Sequence, residues 1–307
     1  MAVATFAACD KGGSSAKGSG EMSSSEMSLF KQLPSGNVAL FGGNYMKMQH
    51  FMSSTMGKAI SANLKDEKAE KWMACFTQAK DMHVAGGVGI EGSKLTMRVA
   101  FTGLKIADIA DCAKKAEFNT VVDPDGKFVS IDITTQGVTV NQGYLAMPSD
   151  AVYSRTTIAF GFPPSFGSGT RAELEGDLAA AAKGNAAADT KLLELLSKVD
   201  RSRTFWFAGT ADGTPVADKL GEVYGSIDLD SGLGADVTVQ LKDSDMASKV
   251  TDGLKEAKNH SDELPGELKG ALKGIDVAKN GDHLRFQVKL TESQLTSLMS
   301  MGGMGMH

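Results

Sequence analysis

The sequence predicts an α+β fold made of two tandem, diverged repeats, each an antiparallel sheet with helices packed on one face. The chain has 307 residues, enough for two domains of ordinary size, and 42% of them are apolar, as in soluble globular proteins. Three segments of the first half of the sequence also recur in the same order in the second half, which indicates an internal duplication.

Each matched segment carries a recognisable structural pattern. The matched pairs are residues 29–43 with 195–209, 95–101 with 235–241, and 130–133 with 274–277. The first pair indicates a helix end, a turn and a buried strand. In the second pair, apolar and polar residues alternate with period two, as in a half-buried strand. The third pair is followed in each copy by a Gly-containing turn and another alternating strand. Hairpins therefore alternate with single helices, which favours antiparallel sheets and the α+β class.

A helix follows the second matched strand in each copy. In the first copy, Ile106, Ile109, Ala110 and Ala113 form one apolar stripe within residues 106–117. The second helix begins near residue 246, and its helical spacing predicts a buried stripe of Val250, Leu254 and Ala257.

These patterns divide the chain into successive segments. The first module has an extra strand over residues 152–162, and a Pro-Pro break and two Ala/Leu-rich helices follow it. The expected segments are a signal remnant with a flexible Gly/Ser tether at 1–28, a first module at 29–165 with a helical insert at 45–81, a helical connector at 166–194, a second module at 195–300, and a Met/Gly-rich tail at 301–307.

The N-terminal segment ends in two small residues and a cysteine, Ala7-Ala8-Cys9, after which the sequence turns abruptly polar. It resembles the signal of bacterial lipoproteins, although Phe6 stands where Leu is usual and no Lys or Arg precedes the apolar stretch. The resemblance implies lipidation at Cys9 and export to the periplasm or cell surface, with the lipid as the only membrane attachment. A disordered N-terminus that contains a cysteine is the alternative.

Export would make Cys75 and Cys112 candidates for a disulfide, because the compartment beyond the inner membrane is oxidising. Cys75 lies in the insert that the second copy lacks, and Asp252 is the counterpart of Cys112. Both cysteines are thus missing together from the second copy, as expected of a bonded pair. Two buried free thiols remain the alternative.

The chain contains sixteen methionines, and some of them form two local clusters, one in the insert and one at the C-terminus. Met48, Met52 and Met56 recur every four residues, as a core-facing helical stripe does. The C-terminal cluster contains glycines that argue against a helix. Soft thioether and imidazole ligands favour Cu(I), so a possible copper site comprises Met301, Met304, Met306 and His307. Hydrophobic packing or a loose tail is the alternative.

Several function classes find no support in the sequence. The net charge of −5 and the interspersed charges argue against a nucleic-acid partner. Residues 87–92 match the dinucleotide-binding pattern, but they lie between two strands, so we expect no nucleotide. Residues 123–126 are most simply a hairpin turn. None of the five histidines lies in a familiar hydrolase signature.

The expected function is therefore that of an exported, lipid-anchored, non-enzymatic binding or structural protein of the bacterial cell envelope. Its expected partner is an unknown envelope protein or surface component, and no cofactor is expected apart from possible Cu(I). A Cu(I)-binding lipoprotein and a hydrolase with an unrecognised site are the alternatives.

Overall fold

The computed structural model describes residues 22–54, 57, 67–76, 79, 81–135, 138–159, 165–261 and 266–303. Within them, thirteen strands form one antiparallel sheet, and helices pack against it, which confirms the α+β class. The strands are β1 Ala39–Asn44, β2 His83–Glu91, β3 Lys94–Phe101, β4 Asn119–Val122, β5 Phe128–Thr135, β6 Val138–Ala146, β7 Val152–Ala159, β8 Ser165–Ser168, β9 Phe205–Thr210, β10 Leu220–Asp228, β11 Leu233–Leu241, β12 Ile275–Asn280 and β13 His283–Leu290.

The sheet runs without a break through both halves of the chain. Its order is β12-β13-β11-β10-β9-β1-β2-β3-β7-β6-β5-β4, and β8 pairs with β7. Strands β1–β8 form the first half and β9–β13 the second, and the two halves meet where β1 pairs with β9. The expectation of a separate sheet in each repeat is therefore wrong. Both joining strands carry large apolar residues on each face, such as Trp206 and Phe207 on β9, so neither suits an exposed edge.

The helices are named in chain order and pack against particular strands. They are α1 Ser24–Phe30, α2 Tyr45–Ser53, α3 Glu67–Phe76, α4 Ile106–Lys115, α5 Arg171–Lys183, α6 Thr190–Ser197, α7 Ser244–Asn259, α8 Gly266–Lys273 and α9 Glu292–Gly303. Capping boxes at Ser23 and Thr170 fix the starts of α1 and α5, because each side chain and a Glu three residues later satisfy free backbone N–H groups.

The first half carries helices on both faces of the sheet. One hydrophobic core joins α1, α5 and α6 to strand residues such as Leu40, Tyr153 and Trp206. A second core, on the opposite face, joins α2, α3 and α4 to residues such as Val129 and Ile131. The predicted packing on one face is therefore wrong for this half. Successive residues of its strands are apolar and point to alternate faces, so both faces need cover.

The second half has a smaller core on one face. Here α7 and α8 pack on β11 and β12, around Ala247, Leu241 and Leu284. The opposite face of these strands carries polar side chains, among them Asp236 and Arg285. This difference between the two faces positions the candidate site.

Two helix predictions have different outcomes. The stripe of Ile106, Ile109, Ala110 and Ala113 on α4 is buried as expected. On α7, however, Val250 and Ala257 are exposed and Leu254 is half-buried, so that predicted stripe is wrong. The helix buries Ala247 and Thr251 instead, because the Thr251 hydroxyl donates to the Ala247 carbonyl at 2.9 Å and so loses no hydrogen bond on burial.

The predicted turns occur where expected. Residues 87–92 lie in the β2–β3 hairpin, whose turn includes Gly92 at φ +60°, so the nucleotide-like pattern leads from a strand into a second strand and not into a helix. Residues 123–126 form the β4–β5 turn, and the guanidinium of Arg171 pairs with Asp123 and Asp125 at 2.7 and 2.6 Å. Arg171 thereby ties the start of α5 to this turn.

A charged network is buried between α5 and the sheet of the first half. Asp177 accepts hydrogen bonds from the Tyr153 hydroxyl at 2.9 Å and from Arg155 Nη1 at 3.1 Å. Arg98 Nε lies 3.2 Å from Asp177 Oδ2, the oxygen that also accepts from Tyr153, and Glu91 pairs with both arginines. Burial alone would lower the pKa of Arg98, but the charge and hydrogen bond of Asp177, together with the charge of Glu91, outweigh burial and the pKa is raised.

Candidate functional site

The candidate site is a cleft on the polar face of the second half. Because side chains alternate along a strand, Tyr224, Asp236, Thr238, His283 and Arg285 all lie on the face opposite to α7 and α8. The segment of residues 198–203, between α6 and β9, forms the remaining wall. We call this space, bounded by residues 198–203 and strands β10–β13, the polar cleft.

The polar cleft has the size of a small-molecule site. Its volume is about 780 Å³, within the range of about 300–1,000 Å³ that is typical of ligand pockets. It opens to solvent beside the end of α6, on the same face as the core formed by α1, α5 and α6. A ligand could therefore enter without displacing a helix.

An arginine–carboxylate pair forms its floor. Arg285 donates from Nε and Nη2 to the two carboxylate oxygens of Asp236, at 2.7 and 2.5 Å. The hydrogen bond from Arg285 holds the pKa of Asp236 below its usual range. A bidentate pair of this kind fixes the orientation of both side chains, so the floor is ordered.

The wall of the cleft adds two cations and a second carboxylate. Arg203 Nε lies 3.4 Å from Asp200 Oδ2. Burial would raise the pKa of Asp200, but hydrogen bonds from the Ser202 hydroxyl and backbone N–H lower it overall. Lys198 lies with its ammonium 5.9 Å from the centre of the Tyr224 ring, within reach of a cation–π interaction.

The polar cleft also contains a histidine. His283 Nδ1 lies 2.7 Å from Asp282 Oδ1, which orients the imidazole. Nothing in the described part of the chain hydrogen-bonds this histidine to a Ser, Thr or Cys that it could activate. Among the described residues, no three His, Cys, Asp or Glu side chains are grouped closely enough to hold a metal ion.

The residues singled out in the sequence do not line this cleft. Cys9 lies outside the described residues. Cys75 is in α3 and Cys112 in α4, two helices that pack together. Cys112 is not a free thiol, but the Cys75 side chain lies outside the described part of the chain, so their pairing stays a prediction.

The C-terminal copper site also stays a prediction. Met304, Met306 and His307 lie outside the described residues, as does the side chain of Met301. We expected the glycines to keep this segment out of a helix. That expectation is wrong for Met301 and Gly302, because α9 continues to Gly303. Helix α9 begins well before the glycines, and the turns it has already formed lower the cost of extending it.

Sequence reasoning missed the cleft residues, although a signal was present. In β11 and β13 the alternate positions that face solvent are not merely polar but include Asp236 and Arg285, which lie on neighbouring strands. A charged pair of opposite sign on adjacent strands indicates a structured polar face. The register that aligns these strands could not be read from the sequence.

Comparisons with known proteins give a likeness of overall shape. No protein-family model matches the chain, and no curated protein does. A crystal structure of TP0453 in crystal form I covers 89% of this chain and 96% of its own, with 11% identity and a TM-score of 0.43. Crystal form III covers 89% and 98% at 10% identity and a TM-score of 0.45, and form IV 89% and 96% at 10% and 0.43. At identities and TM-scores this low, the chain is assigned to no family.

Proposed function

We propose that this chain is an exported, lipid-anchored, non-enzymatic binding protein of the bacterial cell envelope, which holds its ligand in the polar cleft. The observation that carries the proposal is the uncovered polar face of the second half, where an ordered Arg285–Asp236 pair forms the floor of a cleft of about 780 Å³. A sheet face that served only as a support would need neither the cavity nor the charged floor.

The expected Gly/Ser tether would suit this role. Helix α1 already begins at Ser24, inside the predicted 1–28 segment, and residues 1–21 lie outside the described part of the chain. A flexible segment before α1 would let the folded part move away from an anchor at Cys9. No helix within the described residues combines the length and apolar character needed to cross a bilayer.

We also infer that the two halves descend from one duplicated module. The strand order β1-β2-β3-β7-β6 follows the same path as β9-β10-β11-β13-β12, which supports the inference. On this path β12 corresponds to β6, whereas the sequence match pairs it with β5, so the β4–β5 hairpin would be an addition to the first half. The second half would then have kept an open face that the first half covers with α1 and α5.

Binding in the cleft is tested by nuclear magnetic resonance. We expect a low-molecular-weight digest of envelopes, from the cells that make the protein, to shift backbone amide signals of residues 198–203 and β10–β13 in the full chain. Signals of β4–β6, at the far end of the sheet, serve as the internal control and should stay unchanged. Shifts spread evenly over both halves, or confined to the first half, would contradict the proposal.

Anchoring is tested separately by substitution of Cys9. We expect the wild-type chain, expressed with its native upstream sequence, to be recovered from the membrane fraction with a mass increased by lipid, because acyl chains supply the membrane affinity. The Cys9→Ser variant should move to the soluble fraction, and the matched control Cys112→Ser should not. Equal distribution of wild type and Cys9→Ser between the fractions would rule out the anchor.

A further inference from the structure

The cations of the polar cleft differ in how closely carboxylates pair with them. Its lining contains three cations, Lys198, Arg203 and Arg285, and two carboxylates, Asp200 and Asp236. Arg285 is paired with Asp236, and Lys198 pairs at 3.1 Å with the exposed Glu194 of α6. An anionic ligand would therefore need a cation whose donors these carboxylates leave available.

Arg203 is the cation best placed to receive that anion. Both carboxylate oxygens of Asp236 accept from Arg285, so that pair is mutually satisfied. Arg203 instead has a single long contact, of Nε with Asp200, as its ion pair among the described residues. Its side chain is 25% exposed. The planar end of its guanidinium can therefore donate two parallel hydrogen bonds to a carboxylate or phosphate.

The rest of the lining suits hydroxyl groups. Asn280, Thr238 and Ser226 offer neutral donors and acceptors, and Tyr224 adds a ring beside them. Side chains of this kind can both donate to and accept from an alcohol, whereas an apolar ligand would leave them without partners. The volume of about 780 Å³ exceeds that of an inorganic anion and leaves room for a sugar ring.

We propose that the polar cleft binds a hydroxylated anion, that is, a sugar acid or a sugar phosphate. Arg203 and Lys198 hold the anionic group. The hydroxyl groups lie against Asn280, Thr238 and the side chain of Tyr224. This inference rests on the proposed function. It adds a ligand class to the cleft and assigns Arg203 as the residue that distinguishes charged from neutral sugars.

The test is a titration of the ¹⁵N-labelled full chain with glucuronate, glucose 6-phosphate and glucose. We expect at least one anion to give saturable shifts in residues 198–203 and β10–β13, with glucose at least ~10-fold weaker, since a charge-assisted bidentate contact is lost. Whichever anion binds more tightly identifies the group as carboxylate or phosphate. Arg203→Gln should weaken binding of the anion by ~10-fold or more.

One control variant and one substitute variant accompany this titration. Lys191→Gln removes one positive charge from an exposed lysine outside the cleft, paired with Asp212 and Glu222, and should leave the affinity unchanged. If Arg203→Gln does not fold, Lys198→Gln replaces it, with a weaker but measurable loss expected.

Equal binding of glucose and the anions, or an Arg203→Gln variant that binds like wild type, would overturn the inference. Cleft signals that respond to the envelope digest but to neither anion would also overturn it, while the proposed binding function would stand. Cleft signals that respond to nothing would contradict both.

Discussion

Replacing Asp177 with Ala is expected to lower the free energy of unfolding by about 3–5 kcal/mol, because it leaves buried cations without their shared partner. The side chains of Arg98 and Asp177 are only 9% and 8% exposed, so water cannot replace the lost carboxylate. The Tyr153 hydroxyl, which donates to Asp177, would also lose its acceptor. Urea unfolding followed by circular dichroism measures the change.

A neighbour on the same helix supplies the control. Glu175 is exposed and pairs with Arg171 one turn away, so Glu175→Ala should cost less than about 1 kcal/mol. The double variant Arg98→Leu/Asp177→Leu should recover part of the lost free energy of unfolding. It removes one positive and one negative charge together and leaves Arg155 paired with Glu91. An Asp177→Ala variant within 1 kcal/mol of wild type would show that the network is not buried as described.

The second large effect is expected where the two halves of the sheet join. Trp206 on β9 lies directly opposite Gly42 on β1, and a β-carbon at Gly42 would overlap the Trp206 ring. Trp206 is 2% exposed and packs against Phe30, so Trp206→Ala should cost about 3–5 kcal/mol. Gly42→Ala should cost about 1–3 kcal/mol by overpacking.

The two substitutions should be strongly coupled. Once Trp206 is Ala, the space beside residue 42 is free, and the added Gly42→Ala change should cost little or nothing. Gly176→Ala is the matched control, because no atom lies within 4 Å of its β-carbon position on α5. It should stabilise the chain by roughly 0.5–1 kcal/mol through helix propensity. Additive effects of Gly42→Ala and Trp206→Ala would contradict direct pairing of β1 with β9.

Local features of the fold were predictable because they depend on local sequence. The α4 stripe repeats with helical period, so both its element type and its buried face follow from the spacing. The period-two alternation of β3 and β11 predicts strands, but in β3 the more deeply buried face carries Thr96, Arg98 and Ala100 and not the alternating apolar residues. The turn at residues 123–126 likewise depends on residues within it. These predictions needed no knowledge of which strands become neighbours.

Features that depend on distant pairing were missed. The continuity of the sheet arises from β1 and β9, which are more than 160 residues apart in sequence, and no period within either strand specifies its partner. On α7 the apolar side chains suggested the buried face, but the helix buries Ala247 and Thr251 instead. The polar cleft arises from residues on several strands and one loop, so no single segment carried its pattern.

The most direct test of binding at the polar cleft uses the four tyrosines of the chain. Tyr45, Tyr144 and Tyr153 are 4%, 9% and 0% exposed, whereas Tyr224 lines the cleft and is only half-buried. Nitration of the native full chain with tetranitromethane, followed by peptide mass mapping, should modify Tyr224 much faster than the others, and the envelope digest should slow that reaction selectively. Reaction at Tyr224 no faster than at Tyr153, or at a rate that the digest leaves unchanged, would contradict a ligand site at this cleft.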